Sequence, residues 1–116
     1  MQFSLAAADF GRLACTISDA RGEATVTSSN PSSAAADLAA AIDSAVNTGS
    51  GECYWREAGG EYRWMFRRNG EMVAIVVLWS AGTLTGWEHV FQSECDVDPF
   101  ARQVRDELDR LGIAAL

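Results

Sequence analysis

The stretch YRWMFRRNGEMVAIVVLW, residues 62–79, constrains this chain more than any other. Asn69-Gly70 stands between two runs of alternating hydrophobics, and a two-residue hairpin loop needs residues that tolerate positive φ. The segment therefore predicts an antiparallel hairpin. Counting outward from the turn pairs Arg68 with Glu71, Phe66 with Val73, Trp64 with Ile75 and Tyr62 with Val77. Beyond the Arg68 and Glu71 pair, that face is aromatic and β-branched. The opposite face sets Arg63, Met65 and Arg67 across from Val76, Ala74 and Met72. Successive side chains in a strand alternate faces, so a register slip of one residue would exchange the two faces.

The preceding CYWRE continues the pattern after a turn around Ala58-Gly59-Gly60-Glu61. An even loop sets Trp55 opposite Trp64 and Cys53 opposite Phe66, which extends the apolar face; an uncompensated odd loop sets Trp55 against Arg63. The even loop is expected. It brings Arg56 near Arg63, a repulsion that solvent or a carboxylate such as Glu57 must relieve.

Upstream, Leu13, Cys15 and Ile17 share one face of a strand, Asp19–Gly22 is a turn, and EATVTSS returns as a second strand. Met1–Phe10 extends the first strand through an irregularity near Asp9 to Gly11. NPSSAAADLAAAIDSAVNTG is a helix, with Asn30 placed to cap, Pro31 first and Gly49 at the end; Leu38, Ile42 and Val46 make its apolar stripe. A loop from Ser80-Ala81-Gly82 leads to Trp87, where WEHVFQSE is a last strand with Trp87, His89 and Phe91 on one side. A second helix follows, with Asp98 capping, Pro99 first and Phe100, Val104, Leu108 and Leu111 forming the stripe. The expected fold is one α+β domain over 1–116. It is a two-layer sandwich with a mostly antiparallel sheet of about six strands, two helices on one face and the order ββαββββα.

A net charge of −7 disfavours nucleic-acid phosphates as a partner. Three widely spaced cysteines without a CxxC pattern give no disulfide framework, and neither a signal peptide nor a membrane-length apolar run is present. A cytoplasmic protein with no membrane contact is expected. Every basic side chain except one histidine is arginine, as GC-rich bacterial codon usage produces.

The aromatic face of Trp55, Tyr62, Trp64, Phe66 and Trp79 reads as core, because two alanine-rich helices leave volume for large rings. The reverse face carries Tyr54, Arg56, Arg63, Met65, Arg67 and Met72, with Val76 and Leu78. Two readings stand for it: a solvated surface whose hydrophobics are covered by arginine stems, or a protein interface, which such a mixture resembles in composition. His89 and Cys95 suggest an alternative pocket, ligand-binding or enzymatic. Six extended residues span ~20 Å, however, and the carboxylates of Glu94, Asp96 and Asp98 raise a thiol pKa. No metal-ligand set, no cofactor motif and no nucleophile motif occurs; GSGE at 49–52 leads into a strand and so does not cradle a phosphate.

WREAGGEYRW resembles small uncharacterised bacterial proteins whose central hairpin reads Trp-x-Glu-Pro-Gly followed by Tyr-Arg-Trp. Trp55, Glu57, Gly59, Tyr62, Arg63 and Trp64 fit, and Ala58 replaces the proline. The resemblance implies no activity. In size and acidity the chain also looks like the immunity proteins that neutralise toxins. The expectation is a non-catalytic module that binds another protein or, as a homodimer, a second copy of itself.

Overall fold

A computed structural model describes residues 1–82 and 86–112. Its elements are β1 (Gln2–Ala8), β2 (Arg12–Ser18), β3 (Glu23–Ser28), α1 (Pro31–Thr48), β4 (Ser50–Glu57), β5 (Gly60–Asn69), β6 (Met72–Ser80), β7 (Glu88–Asp96) and α2 (Val97–Leu111). The fold is α+β, with two helices and two antiparallel sheets, ordered β1-β2-β3 and β4-β5-β6-β7. Two expectations are corrected here. Seven strands in two sheets replace the single sheet of about six, and the order is βββαββββα. The difference begins at Asp9–Gly11, a short 3₁₀ turn with Phe10 at φ 61. It reverses the chain, so Gln2–Ala8 pairs back on β2 as a strand of its own.

Both hairpin registers differ from the count by two residues. Gly70 at φ 63 takes the first of two loop positions, Glu71 takes the second, and Asn69 stays in the strand opposite Met72. Arg68 therefore faces Val73, Phe66 faces Ile75 and Trp64 faces Val77. The earlier loop is Ala58-Gly59, so Trp55 faces Tyr62 and Cys53 faces Trp64. Two is the period of a strand, so every side chain keeps the face assigned to it. Arg56 faces Glu61 instead of crowding Arg63.

The inner faces of both sheets and the stripes of both helices enclose one core. Trp55, Trp64, Phe66, Val73, Ile75 and Val77 from the second sheet meet Phe3, Leu5, Leu13, Cys15, Ile17 and Val26 from the first. Phe3 packs edge-on against Trp64 and Phe100, and Trp55 and Trp64 lie 5.2 Å apart between centroids. Each buried indole removes roughly 200 Å² from water, a gain of roughly 5 kcal/mol before entropy. Trp55 Nε1 donates to the Ala34 carbonyl at 3.1 Å, whereas Trp64 Nε1 is buried without an acceptor. An unmet donor costs about 1–3 kcal/mol, less than burial of the ring returns.

α1 lies directly on β4, since a Cβ on Gly51 would stand 2.0 Å from the Ala41 carbonyl oxygen. It ends at Gly49 in the left-handed conformation (φ 99). The expected caps are corrected: the Asn30 side chain makes no cap bond, and its own N–H is held by Ser28 Oγ at 3.1 Å. α2 begins two residues before Pro99, with Asp96 instead of Asp98 at the N-cap position and no side-chain cap bond there either. It closes the free edge of β1, where the Leu5 N–H donates to Glu107 Oε1 at 2.9 Å and Arg110 donates to the Leu5 carbonyl. The sequence-predicted loop between Ser80 and Trp87 falls partly outside the described residues.

The first sheet is fastened to the second at both ends of β3. Asp19, in the turn before it, lies beside Ser93 of β7, which helps to hold its carboxyl below the ordinary value. At the other end the Arg56 carbonyl accepts from the Ser29 N–H at 3.0 Å and from the Ser28 and Ser29 hydroxyls at 3.2 Å. Beside it, Glu57 accepts from Thr27 Oγ1 and from Arg12, whose Nε lies at 2.9 Å. The Thr27 hydroxyl and Arg12 hold the Glu57 carboxyl below its ordinary value near 4.5 against partial desolvation.

Two predictions follow from this packing. Gly51→Ala overpacks the α1–β4 contact and costs about 2–3 kcal/mol in urea unfolding, while Gly22→Ala, with nothing within 4 Å of the added carbon, stays within about 0.5 kcal/mol. A carboxyl with a lowered folded pKa contributes stability above its unfolded value and loses it as pH falls through the folded one. Glu57→Gln therefore lowers stability at pH 7 by about 1–2 kcal/mol and flattens the fall in melting temperature below pH 4.5. Parallel acid limbs in the two proteins would remove Glu57 as a contributor.

Candidate interaction face

The outer face of the second sheet bears no helix among the described residues. Ladder pairing arranges its side chains in rows across β4, β5, β6 and β7. Arg56 faces Glu61; Tyr54, Arg63, Leu78 and His89 form the next row; Glu52, Met65, Val76 and Gln92 the next; then Ser50, Arg67, Ala74 and Glu94; and last Asn69, Met72 and Asp96. Each residue expected on the arginine face, namely Tyr54, Arg56, Arg63, Met65, Arg67 and Met72, projects from this side. The strand parity that buries Trp64 and Phe66 dictates it.

Arg63 is the organised centre. Its Nε and Nη2 donate to Glu52 Oε2 at 3.1 and 2.8 Å. Its guanidinium carbon lies 5.8 Å from the Tyr54 ring centre and 5.7 Å from that of Trp87, and the two rings are 6.2 Å apart. Each cation–π contact at such an exposed site is worth ~0.5–1 kcal/mol, enough to order long side chains without any partner. Tyr54 and Trp87 nevertheless stay 39% and 41% exposed, which sets them apart from every other large apolar side chain on this sheet. Alongside the stack, Met65, Ala74, Val76 and Leu78 are half-buried, and a shallow depression of about 450 Å³ is lined by Ser50, Glu52, Met65, Arg67, Ala74 and Val76.

Trp87, Glu52 and His89 were absent from the face that the sequence defines. β7 contains a bulge: Val77 pairs with Phe91 but Leu78 pairs with His89, leaving Val90 as an extra residue. Regular alternation places Trp87, His89 and Phe91 together; the bulge keeps Phe91 in the core and turns His89 and Trp87 outward. The legible warning was a polar imidazole placed on the same side as Phe91.

The bulge also separates the two residues of the alternative pocket. His89 is exposed on the outer face, with Nε2 3.3 Å from Gln92 Oε1. Cys95 pairs with inward-facing Val73 and lines a cleft of about 680 Å³ between β1 and α2, beside Phe3, Pro99, Phe100 and Arg102. Burial pushes its thiol up to about 11; Asp96 and Glu94 push the same way, and the amino terminus opposes them. A thiol protonated at neutral pH with no imidazole beside it is a poor nucleophile.

A third exposed ring, Phe10, stands 96% exposed at the tip of the β1–β2 turn. Among the described residues no three His, Cys, Asp or Glu side chains converge as a metal site would require, and no helix is long and apolar enough to cross a membrane. Comparison of the chain with protein-family models, with curated proteins and with solved structures found no match.

Proposed function

We propose that this chain is a non-catalytic protein-binding module that docks its partner on the outer face of the four-stranded sheet. The observation that carries this reading is the Tyr54–Arg63–Trp87 stack: two exposed aromatic rings and an arginine, ordered in advance, on a sheet face that no helix covers among the described residues. Tyr, Trp and Arg are the residue types that dominate binding energy at protein interfaces, and side chains already held in place lose less entropy on docking. The half-buried Met65, Val76 and Leu78 beside them supply the apolar surface that a partner would complete. A merely solvated face accounts for arginine stems lying over aliphatics, but not for rings that hold the arginine and remain exposed themselves.

The three cysteines are unpaired, which suits a reducing compartment, and we place the module in the cytoplasm on that ground. Small size and acidity favour a role like that of the immunity proteins, in which binding alone is the activity.

Trp87→Ala and Arg63→Glu test the reading. Each weakens capture of the native partner by at least about tenfold, as truncation of a hot-spot residue does, and each leaves the melting temperature within about 3 °C of the parent because neither side chain is in the core. Unchanged capture in both variants, together with loss in Cys95→Ser, would move binding to the cleft between β1 and α2.

A further inference from the structure

We infer that one partner of the outer face is a second copy of this chain, docked face to face about a two-fold axis that runs along β6. The inference rests on the docking role proposed for that face and adds the identity of an occupant.

From Met72 to Leu78, β6 presents an apolar strip outward, Met72, Ala74, Val76 and Leu78, all half-buried, and Ser80 ends it. The strands on either side carry opposite charges at the same level. Arg67 of β5 and Glu94 of β7 both pair with Ala74, so the three form one row, with Arg67 and Glu94 on the two flanks of the strip. Two strand spacings place these flanks ~10 Å apart. Both side chains are exposed, and neither is seen in an ion pair or side-chain hydrogen bond among the described residues.

Such a row is self-complementary. A two-fold axis along β6 superposes the apolar strip on its own copy and exchanges left with right. Arg67 of each copy then meets Glu94 of the other, and the contact closes as a dimer, the isologous arrangement most homo-oligomers use. His89, at the end of the next row, comes to the side of the partner on which the Tyr54–Arg63–Trp87 stack lies.

Net charge permits contact across this face. Arg56, Arg63 and Arg67 stand here against Glu52, Glu61, Glu94 and Asp96, so the face carries only −1 of the chain's −7. The paired region measures ~26 Å by ~19 Å, roughly 1,000 Å² over both copies, which is at the low end for specific association. The dimer is accordingly weak and concentration-dependent.

The test is charge exchange in trans. Sedimentation or light-scattering mass is measured from about 5 to about 500 μM for the parent, for Arg67→Glu, for Glu94→Arg, and for an equimolar mixture of the two variants. The parent mass rises from 12.5 kDa toward twice that value. Each variant alone sets like charges against each other twice and associates about tenfold more weakly. The mixture restores association to the parent level, because each variant supplies what the other lacks. Unchanged melting temperatures check that both variants are folded, and both positions are exposed. A parent mass of 12.5 kDa throughout, or a mixture no heavier than its components, overturns the self-association. In either case Trp87-dependent capture of a different protein would leave the docking face standing and show that its occupant is not a second copy.

Discussion

Burial of Trp55, Trp64 and Phe66 on one side of the second sheet is the constraint from which the other features follow. Rings of that size need volume, and α1 supplies it with small residues, burying Ala34, Ala35, Ala41 and Ala45 against the sheet. The close approach at Gly51 is the other half of the same fit. Since strand side chains alternate, fixing those rings inward leaves Arg63, Met65 and Arg67 no choice but the outside. The exposed face is thus a by-product of the core, and its arginines are organised afterwards by neighbours such as Glu52, Tyr54 and Trp87.

The two sheets are joined at the polar ends of β3, and the join uses backbone groups as well as side chains. The Arg56 carbonyl gathers three donors from Ser28 and Ser29, and the adjacent Glu57 is held by Thr27 and Arg12. These contacts do not supply most of the folding energy, which comes from buried rings and aliphatics. They fix how the first sheet sits over the second. A hydrophobic core tolerates small displacements, whereas a charged carboxylate with three hydrogen bonds from the other sheet does not.

Which residues face inward was legible in the sequence, because parity survives a register error of two. The residue-to-residue pairing was not, since Gly70 can be the second loop residue after Asn69 or the first before Glu71, and only the backbone geometry at Gly70 decides. The extra first strand was hidden in Asp9–Gly11. Phe10 adopts positive φ there, a conformation that propensity reserves for glycine or asparagine, so a continuous strand was the natural reading. The face residues of β4, β5 and β6 could be assigned for the same reason as the core. Trp87 and His89 could not, because one extra residue at Val90 reverses the parity of everything before it.

Closure of the β1 edge by α2 has a consequence during synthesis. The groups that satisfy Leu5, Glu107 and Arg110, lie more than a hundred positions downstream. A nascent chain thus emerges from the ribosome with the backbone of its first strand open to any extended segment nearby, and stays so until the final helix is made. Each molecule passes through an interval in which β1 depends on assistance, or on speed, to avoid joining the wrong neighbour.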